Sequence, residues 1–369
     1  SASIGMLSSA NSSIRMPMSW QRTGVGDRAI ALPEPVDRSP RPPESVRSDQ
    51  APARPFRIAH ISDPHLSRQY YREHIKSLKI VLRSVLEEGV DHIVVSGDIV
   101  STADPDDFYL AREIFAKAGI LDASRLTVVP GNHDIFGGPH RAVDVLSFPT
   151  HIRSVDYRRH HVLFREAFAE TFQGTVTSGA AAPYPFIKRV GPFALIGLNS
   201  IPPWSLRSNL LGTNGIVDDP QIHALVEMAK RGAWEGSVPV VVMHHHFNDL
   251  TDDAPSNGFW QRVEARTMRL RRRRRLTRNF REIGIRFVLH GHIHRNEIYD
   301  VGGLTMLNGA GAVCDDPVRL LKYNTLEWQE GRVAAAVQTL DIPYQQSTVN
   351  LSLQRFGRKL DLPVLASGA

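Results

Sequence analysis

The chain has a single cysteine, Cys314, in 369 residues. One thiol closes no internal disulfide and builds no thiolate cage, so any metal must be held by imidazole and carboxylate groups. Cys314, after NGAGAV, reads as a small buried residue rather than a nucleophile. Long apolar runs are missing too: no stretch approaches the roughly 18 residues that cross a bilayer as a helix, so no membrane partner is expected. The N-terminus, SASIGMLSSANSSIRM, lacks a basic segment followed by an apolar one of secretory type. The cytoplasm is therefore the expected compartment. Charge is not strongly one-signed either. With 44 Lys and Arg against 38 Asp and Glu the net charge is +6, a weak bias toward phosphate-bearing partners.

What the chain does have is histidine, 16 in all, and a change of texture near residue 54. Residues 1–53 are rich in Ser, Pro and Arg without apolar periodicity, and PEPVDRSPRPPES resists both helix and ladder, so this stretch is expected to be an arm. Residues 54–342 read as one catalytic domain and 343–369 as a C-terminal tail. Within the domain, FRIAHIS, DHIVVSGD, RLTVVPGN, FALIGLNS, VPVVVMHHH and IRFVLHGH each predict a short buried strand. Helical spacing over 71–88 and 106–118 separates the first three, which argues parallel strands with crossovers. YPFIKRVGPFALIGL and LLKYNTLEWQEGRVAAAVQTL predict hairpins around Gly-Pro and Glu-Gly turns. The expected class is α/β: two mixed sheets stacked as a sandwich with outer helices. A cap-like insertion is expected over 135–185, helical near 157–172, and a long polar loop over 248–262.

Histidines and carboxylates fall where these strands end. Asp63 and His65 follow the first, Asp98 the second, Asn132 and His133 the third, His244 the strand PVVVM, and His292 and His294 the strand FVLHG. Ligands bind at the carboxyl ends of strands in α/β sheets because rigid strands hold converging loops there. Five strand ends delivering His, Asp and Asn to one edge is the pattern of a polynuclear metal site. If extended, Asp63-Pro64-His65 and His292-Ile293-His294 project both side chains to one side. Nitrogen and oxygen donors without sulfur suit Zn, Mn, Fe or Co and do not choose among them.

The ordered set DPH, GD, GNHD, a histidine cluster after an apolar strand, and GHIH resembles the five-block signature of the calcineurin-like metallophosphoesterase superfamily. Within it the chain is most similar to the bacterial class III cyclic-nucleotide and glycerophosphodiester phosphodiesterases, in HISDPHL, SGDIVSTADP, VVPGNHD, VVVMHHHF and VLHGHIH, over about residues 56–310. The resemblance implies the metallo-dependent phosphatase-like αββα sandwich and two divalent or trivalent transition-metal ions. It further implies that Asp63, His65 and His294 bind one ion, that Asn132, His244 and His292 bind the other, and that Asp98 bridges them. His133 would contact the substrate phosphate and assist the leaving group. The implied reaction is hydrolysis of a small phosphodiester, with phosphomonoesters as a second class, by metal-bound hydroxide.

Several residues invite competing readings. Of His244, His245 and His246, the first matches the family's ligand, His245 is expected to line the pocket, and His246 replaces a usual proline. His60 and His290 are expected to be hydrogen-bonded behind the site rather than ligands. The run RLRRRRRLTRNF suggests nucleic-acid binding, but Leu270, Leu276, Phe280 and Ile283 can form the apolar face of a helix whose arginines are simply solvated, and that reading is preferred. A nuclease acting on single strands is thus the less favoured alternative. A non-enzymatic scaffold would be expected to have lost ligands, and an assembly of identical chains is admitted. One departure stands out: the aspartate that family members often carry three residues after the bridging aspartate is Ser101 here.

Overall fold

The computed structural model describes residues 54–139, 142–179, 182–247, 268–294, 296–309, 320–341 and 354–363. The arm 1–53, the loop 248–262 and Cys314 lie outside them. Strands β1 (Phe56–Ile61), β2 (His92–Val95), β3 (Leu126–Val128), β11 (Leu320–Gln329), β12 (Arg332–Asp341) and β13 (Gln354–Pro363) form one sheet, in the order β13-β12-β11-β1-β2-β3. Strands β4 (Val176–Gly179), β5 (Ala182–Val190), β6 (Phe193–Gly197), β7 (Val238–Val242), β8 (Phe287–His290), β9 (Asn296–Asp300) and β10 (Thr305–Gly309) form the second, in the order β4-β5-β6-β7-β8-β10-β9. Both sheets are mixed. β1, β2 and β3 run parallel, as do β6, β7, β8 and β10, while the two expected hairpins, β5–β6 and β11–β12, pair antiparallel.

Helices α1 (Arg72–Glu87) and α2 (Pro105–Lys117) are the crossovers of the first sheet, and α6 (Asp219–Lys230) and α7 (Arg273–Glu282) cover the second. Local chemistry starts them. The Asp104 carboxylate accepts from Asp106 N at 2.8 Å with Pro105 at the first helical position, and Asp218 accepts from Gln221 N at 2.9 Å.

Strand alternation in the second sheet decides the layering. Phe193, Leu195, Val240, Val242, Phe287, Leu289 and Leu307 belong to the core shared with β1–β3, α1 and α2. Their sequence neighbours Ala194, Ile196, Val241, Met243, Val288 and Met306 pack instead with Leu225 and Met228 of α6 and Leu276 and Phe280 of α7. A period of two that is apolar on both faces requires cover on both faces, hence the sandwich with outer helices. Burying a side chain such as Phe280 in this way contributes about 1.5–3 kcal/mol. The arginine-rich segment is a two-faced helix over Arg273–Glu282 with Leu276 and Phe280 on its buried side, while Leu270, expected on the same face, precedes it in a β-bridge with Gly215 and Ile283 follows its last residue.

Three features depart from the sequence expectation. Residues 343–369 are not only a tail, because β13 pairs antiparallel with β12 from Arg332↔Pro363 to Asp341↔Gln354. No strand is expected there from the apolar runs read in the sequence. The insertion 135–185 holds more structure than the helix near 157–172: α4 (Ala142–Ser154), α5 (Tyr157–Ala167), a 3₁₀ turn (Ala169–Phe172) and β4. Strands β9 and β10 form a small antiparallel pair after GHIH that the sequence does not announce.

Lys188, on β5, is buried, and its ammonium donates to Leu126 O at 2.7 Å and to Thr171 O. Burial pulls its pKa down from 10.5 to about 7, opposed by Asp122. The folded chain therefore holds fewer protons than the unfolded one between about pH 7 and 10.5, so stability from this residue is lowest below pH 7 and rises above it. Chemical denaturation from about pH 7 to 9.5 should show a midpoint that rises in the parent relative to Lys188→Met. Parallel profiles would mean that Lys188 keeps its ordinary proton affinity.

Candidate metal centre

The two sheets meet at the edge where the ligand-bearing strands end. Ser62 N, just past β1, donates to Gly309 O of β10 at 2.9 Å, which ties one sheet to the other. Within the first sheet Asp63 N donates to Gly97 O at 3.1 Å and His65 N to Asp98 O at 3.0 Å; within the second, Gly291 N donates to His244 O at 2.9 Å. Across the gap, His244 Nδ1 donates to Ser96 O at 3.0 Å. These bonds, main-chain except for that of the His244 ring, fix the loops to one another.

All eight residues singled out from the sequence come to this edge, in two groups that share a carboxylate. In one, His65 Nε2 stands 3.1 Å from His294 Nε2, and Asp63 Oδ1 lies 3.8 Å from the first and 3.9 Å from the second. In the other, His244 Nε2 is 3.1 Å from both Asn132 Oδ1 and His292 Nδ1. Asp98 Oδ2 faces both groups, 3.8 Å from His65 Nε2 and 3.3 Å from His244 Nε2. Its other oxygen accepts from His133 N at 2.8 Å. The His133 ring lies edge-on to His65 with centroids 4.6 Å apart.

The way these residues converge differs from the extended pairs expected. Asp63, His65, Asp98 and His292 have φ of 54°, 44°, 49° and 77°. Left-handed backbone at non-glycine residues costs about 1–3 kcal/mol each and persists only where the surroundings impose it. Here strands and cross-loop bonds impose it, and the kinked loops aim the side chains inward. Gly131 meets a steric demand beside them, since a Cβ there would run into the Asp98 carboxylate.

Electrostatics give the centre its character. Burial raises the Asp63 carboxyl above its usual range, and the neighbouring Asp98 adds to the rise. Burial would do the same to Asp98, but His244 first and then His133 and His65 hold it well below that range. His244 is pulled up to about 9 against its burial, by Asp98 above all. Burial and neighbouring imidazoles push His65 and His292 well below their usual value. Two carboxylates, the uncharged rings of His65 and His292 and the His244 ring drawn to Asp98 thus face one another at about 3–4 Å, and His292 Nε2 is buried with no hydrogen-bond partner. Lone pairs opposed at this range are stabilised by a cation between them. Seven nitrogen and oxygen donors in two groups exceed what one tetrahedral ion needs, so the arrangement fits two transition-metal ions.

The residues around the donors are hydrogen-bonded within the fold, His245 among them, which is fully buried rather than open to a pocket. His60 Nε2 bonds Ser96 Oγ at 2.8 Å, and its Nδ1 bonds Asn324 Nδ2 at 3.3 Å. His290 accepts from Tyr299 OH at 2.8 Å. Neither approaches as a ligand. His245 bridges Ser200 Oγ at 2.9 Å and Thr213 O at 3.2 Å with its ring against His292, and His246 Nε2 donates to Met268 O at 2.8 Å. Ser101 does not use its hydroxyl on His133: Oγ donates to His65 O at 2.8 Å, while its main-chain oxygen accepts from His133 Nδ1 at 3.3 Å. The two carboxylates nearest in sequence are committed elsewhere. Asp134, raised to about 8 by burial and by Asp98, accepts from Val100 N and Gly131 N, and Asp104 caps α2. Gly138 was not singled out. A Cβ there would overlap the His133 ring, a contact that only the folded loop reveals.

The family model described as calcineurin-like phosphoesterase matches residues 56–296. One component of the SbcCD nuclease from Escherichia coli K12, SbcD, is 30% identical over 101 residues, 25% of this chain and 25% of that protein, so the match spans about a quarter of the curated relative. Among solved structures, a dimetal phosphatase from Danio rerio is similar with a TM-score of 0.48 at 14% identity, covering 77% of this chain and 96% of that one. A purple acid phosphatase from yellow lupin, Lupinus luteus, has a TM-score of 0.44 at 11% identity, covering 77% and 51%.

Because Asp98 faces both donor groups, Asp98→Ala is expected to weaken uptake of both ions, whereas His294→Ala should weaken mainly one. Elemental analysis after reconstitution checks this against an expected two ions per parent chain. One ion per chain with activity intact would rule out the two-ion reading.

Proposed function

Because the chain belongs to the calcineurin-like phosphoesterase family, we propose that it is a dinuclear metal-dependent hydrolase with phosphodiesters as its preferred substrates. The observation that carries the proposal is the pair of donor groups joined at Asp98 at the sheet edge. Asp63, His65 and His294 are assigned to one ion, Asn132, His244 and His292 to the other, and Asp98 to both. When bound, such ions supply Lewis acidity, neutralising phosphate charge and acidifying a water. No donor position is vacated by substitution, which argues against a scaffold that has lost chemistry.

The chain's own groups then have distinct tasks. His133 Nδ1, donating to the Ser101 carbonyl, fixes the ring and leaves Nε2 for the substrate phosphate or the leaving oxygen. The tautomer follows from the bonding network. The main-chain bond from His133 N to Asp98 couples the position of this residue to the shared carboxylate. Behind it, Ile135 and Phe136 of α3 (Asn132–Phe136) pack with Ile152 and Ile201, so the insertion 135–185 braces the short helix that carries Asn132 and His133. We assign the insertion a second role as a cap over the substrate. Preference for diesters rests on the block resemblance, and a panel of aryl diester, aryl monoester, cyclic nucleotide and glycerophosphodiester substrates on the metal-loaded enzyme tests it; a higher kcat/KM for the monoester would reverse the assignment.

His133→Ala should keep both ions and lose roughly 10²–10⁴-fold in turnover, the usual worth of a positioned acid or electrostatic donor. Gly138→Ala should act in the same direction, because its methyl group would overlap the His133 ring. Turnover is read together with metal content for both variants. Loss of metal in His133→Ala would make that residue a ligand instead.

A further inference from the structure

The functional reading leaves the arginines of α7 unused. Leu276 and Phe280 bury one side of this helix, and Arg274, Arg278 and Arg281, spaced four and three residues apart, lie on the opposite side in solvent, with Arg271 and Arg275 beside them. Asp219 takes Arg272 and Arg275, and Glu282 lies 3.8 Å from Arg278. Among the described residues, Arg207, Arg269, Arg271, Arg274 and Arg281 have no carboxylate in ion-pair range. A purely solvated helix face gains nothing from this excess of one sign, since the charges repel and are compensated elsewhere only in part.

The position of the face gives it a use. Where the arginine run begins, the chain is bonded into the rim of the metal centre: Gly215 N donates to Arg269 O at 3.0 Å, Arg271 N to Gly215 O at 2.8 Å, and His246 Nε2 to Met268 O at 2.8 Å. Thr213 of the same rim loop bonds His245, whose ring lies 4.4 Å from that of His292. Arg271 reaches on to Ser208 O at 3.3 Å, which keeps the basic surface continuous with the 201–215 loop. From there α7 extends away for ten residues, about 15 Å at the usual helical rise.

We propose that this arginine face is a docking surface for a single nucleic-acid strand, held by its phosphates and leading toward the metal centre. Guanidinium groups in a row suit repeating phosphates, and the proposal asks for no base recognition. A single strand is specified because Asp63, His65, Asp98, Asn132, His244 and His292 are all buried, so the phosphodiester must bend into a recess, which a stiff duplex does not do. The cutting of that strand rests on the phosphodiesterase reading; the docking does not, and it is measured on metal-free protein.

The test is fluorescence anisotropy of a labelled single strand of about 20 nucleotides across a salt series, with the full chain and with a triple variant carrying Arg274→Ser, Arg278→Ser and Arg281→Ser. The parent is expected to bind with log affinity falling linearly with log salt. Each lost phosphate contact removes about 0.7 from that slope, so the triple variant should lose about 2 in slope and at least roughly tenfold in affinity near 0.15 M salt, with an unchanged thermal midpoint as the folding control. The parent's own salt slope is a reading that needs no variant. Absent binding by the parent at about 0.15 M salt, unchanged binding by a folded triple variant, tighter binding of a duplex of the same length, or retention on anionic lipid vesicles without retention of the strand would each overturn the proposal.

Discussion

The structure depends on burying two carboxylates, Asp63 and Asp98, close against a set of imidazoles. Buried charge of one sign is among the costliest things a fold can hold, and it is tolerated only when opposite charge or a cation meets it. Here His244 answers Asp98, with one partner's pKa driven down and the other's up. The remaining ring nitrogens face each other with little to satisfy them, which is what makes the cluster a receptor for cations rather than an ion-pair network. Asp134, buried further out, shows the alternative solution. It carries its charge poorly, with a pKa raised to about 8, and spends its oxygens on the main-chain donors of Val100 and Gly131.

Much of the architecture serves to hold that cluster against its own strain. Main-chain bonds between the loops after β1, β2, β7 and β10 join two sheets at one edge, and strained backbone at Asp63, His65, Asp98 and His292 stays because those bonds leave no relaxed alternative. The short helix α3 is locked from one side by the Asp98 carboxylate at His133 N and from the other by the insertion's apolar contacts to Ile135 and Phe136. Precision at the centre therefore depends on elements distant in sequence. The His133 ring is met at Nδ1 by a main-chain carbonyl, that of Ser101, and not by a carboxylate.

The surface around the centre is less uniform than its interior. On one side lie α4 and α5, with Tyr157 OH donating to Ile201 O at 2.6 Å and Asn199 bonded to that same hydroxyl, so the insertion is fastened to the loop after β6. On another, the 201–215 loop passes from that attachment to the start of the arginine run. These two walls differ in chemistry, one with apolar contacts behind its surface and one rich in guanidinium groups.

The sequence by itself determined the six strands read from apolar runs, the crossovers, the two hairpins and the placing of the candidate donors at strand ends, because each is a local matter. A buried strand shows its apolar run, a turn its glycine, and a ligand its place at the strand's end. It also separated the apolar side of α7 from the arginine side by simple helical spacing. It could not determine how the donors converge: extended i, i+2 pairs are the natural expectation for Asp63 with His65, and the folded loops use left-handed turns instead. Nor could it find Gly138, whose importance is a steric contact with His133, or the pairing of β13 with β12. Those were decided by tertiary structure, since a backbone strained by long-range hydrogen bonds and a space filled by another residue's ring have no signature in local sequence.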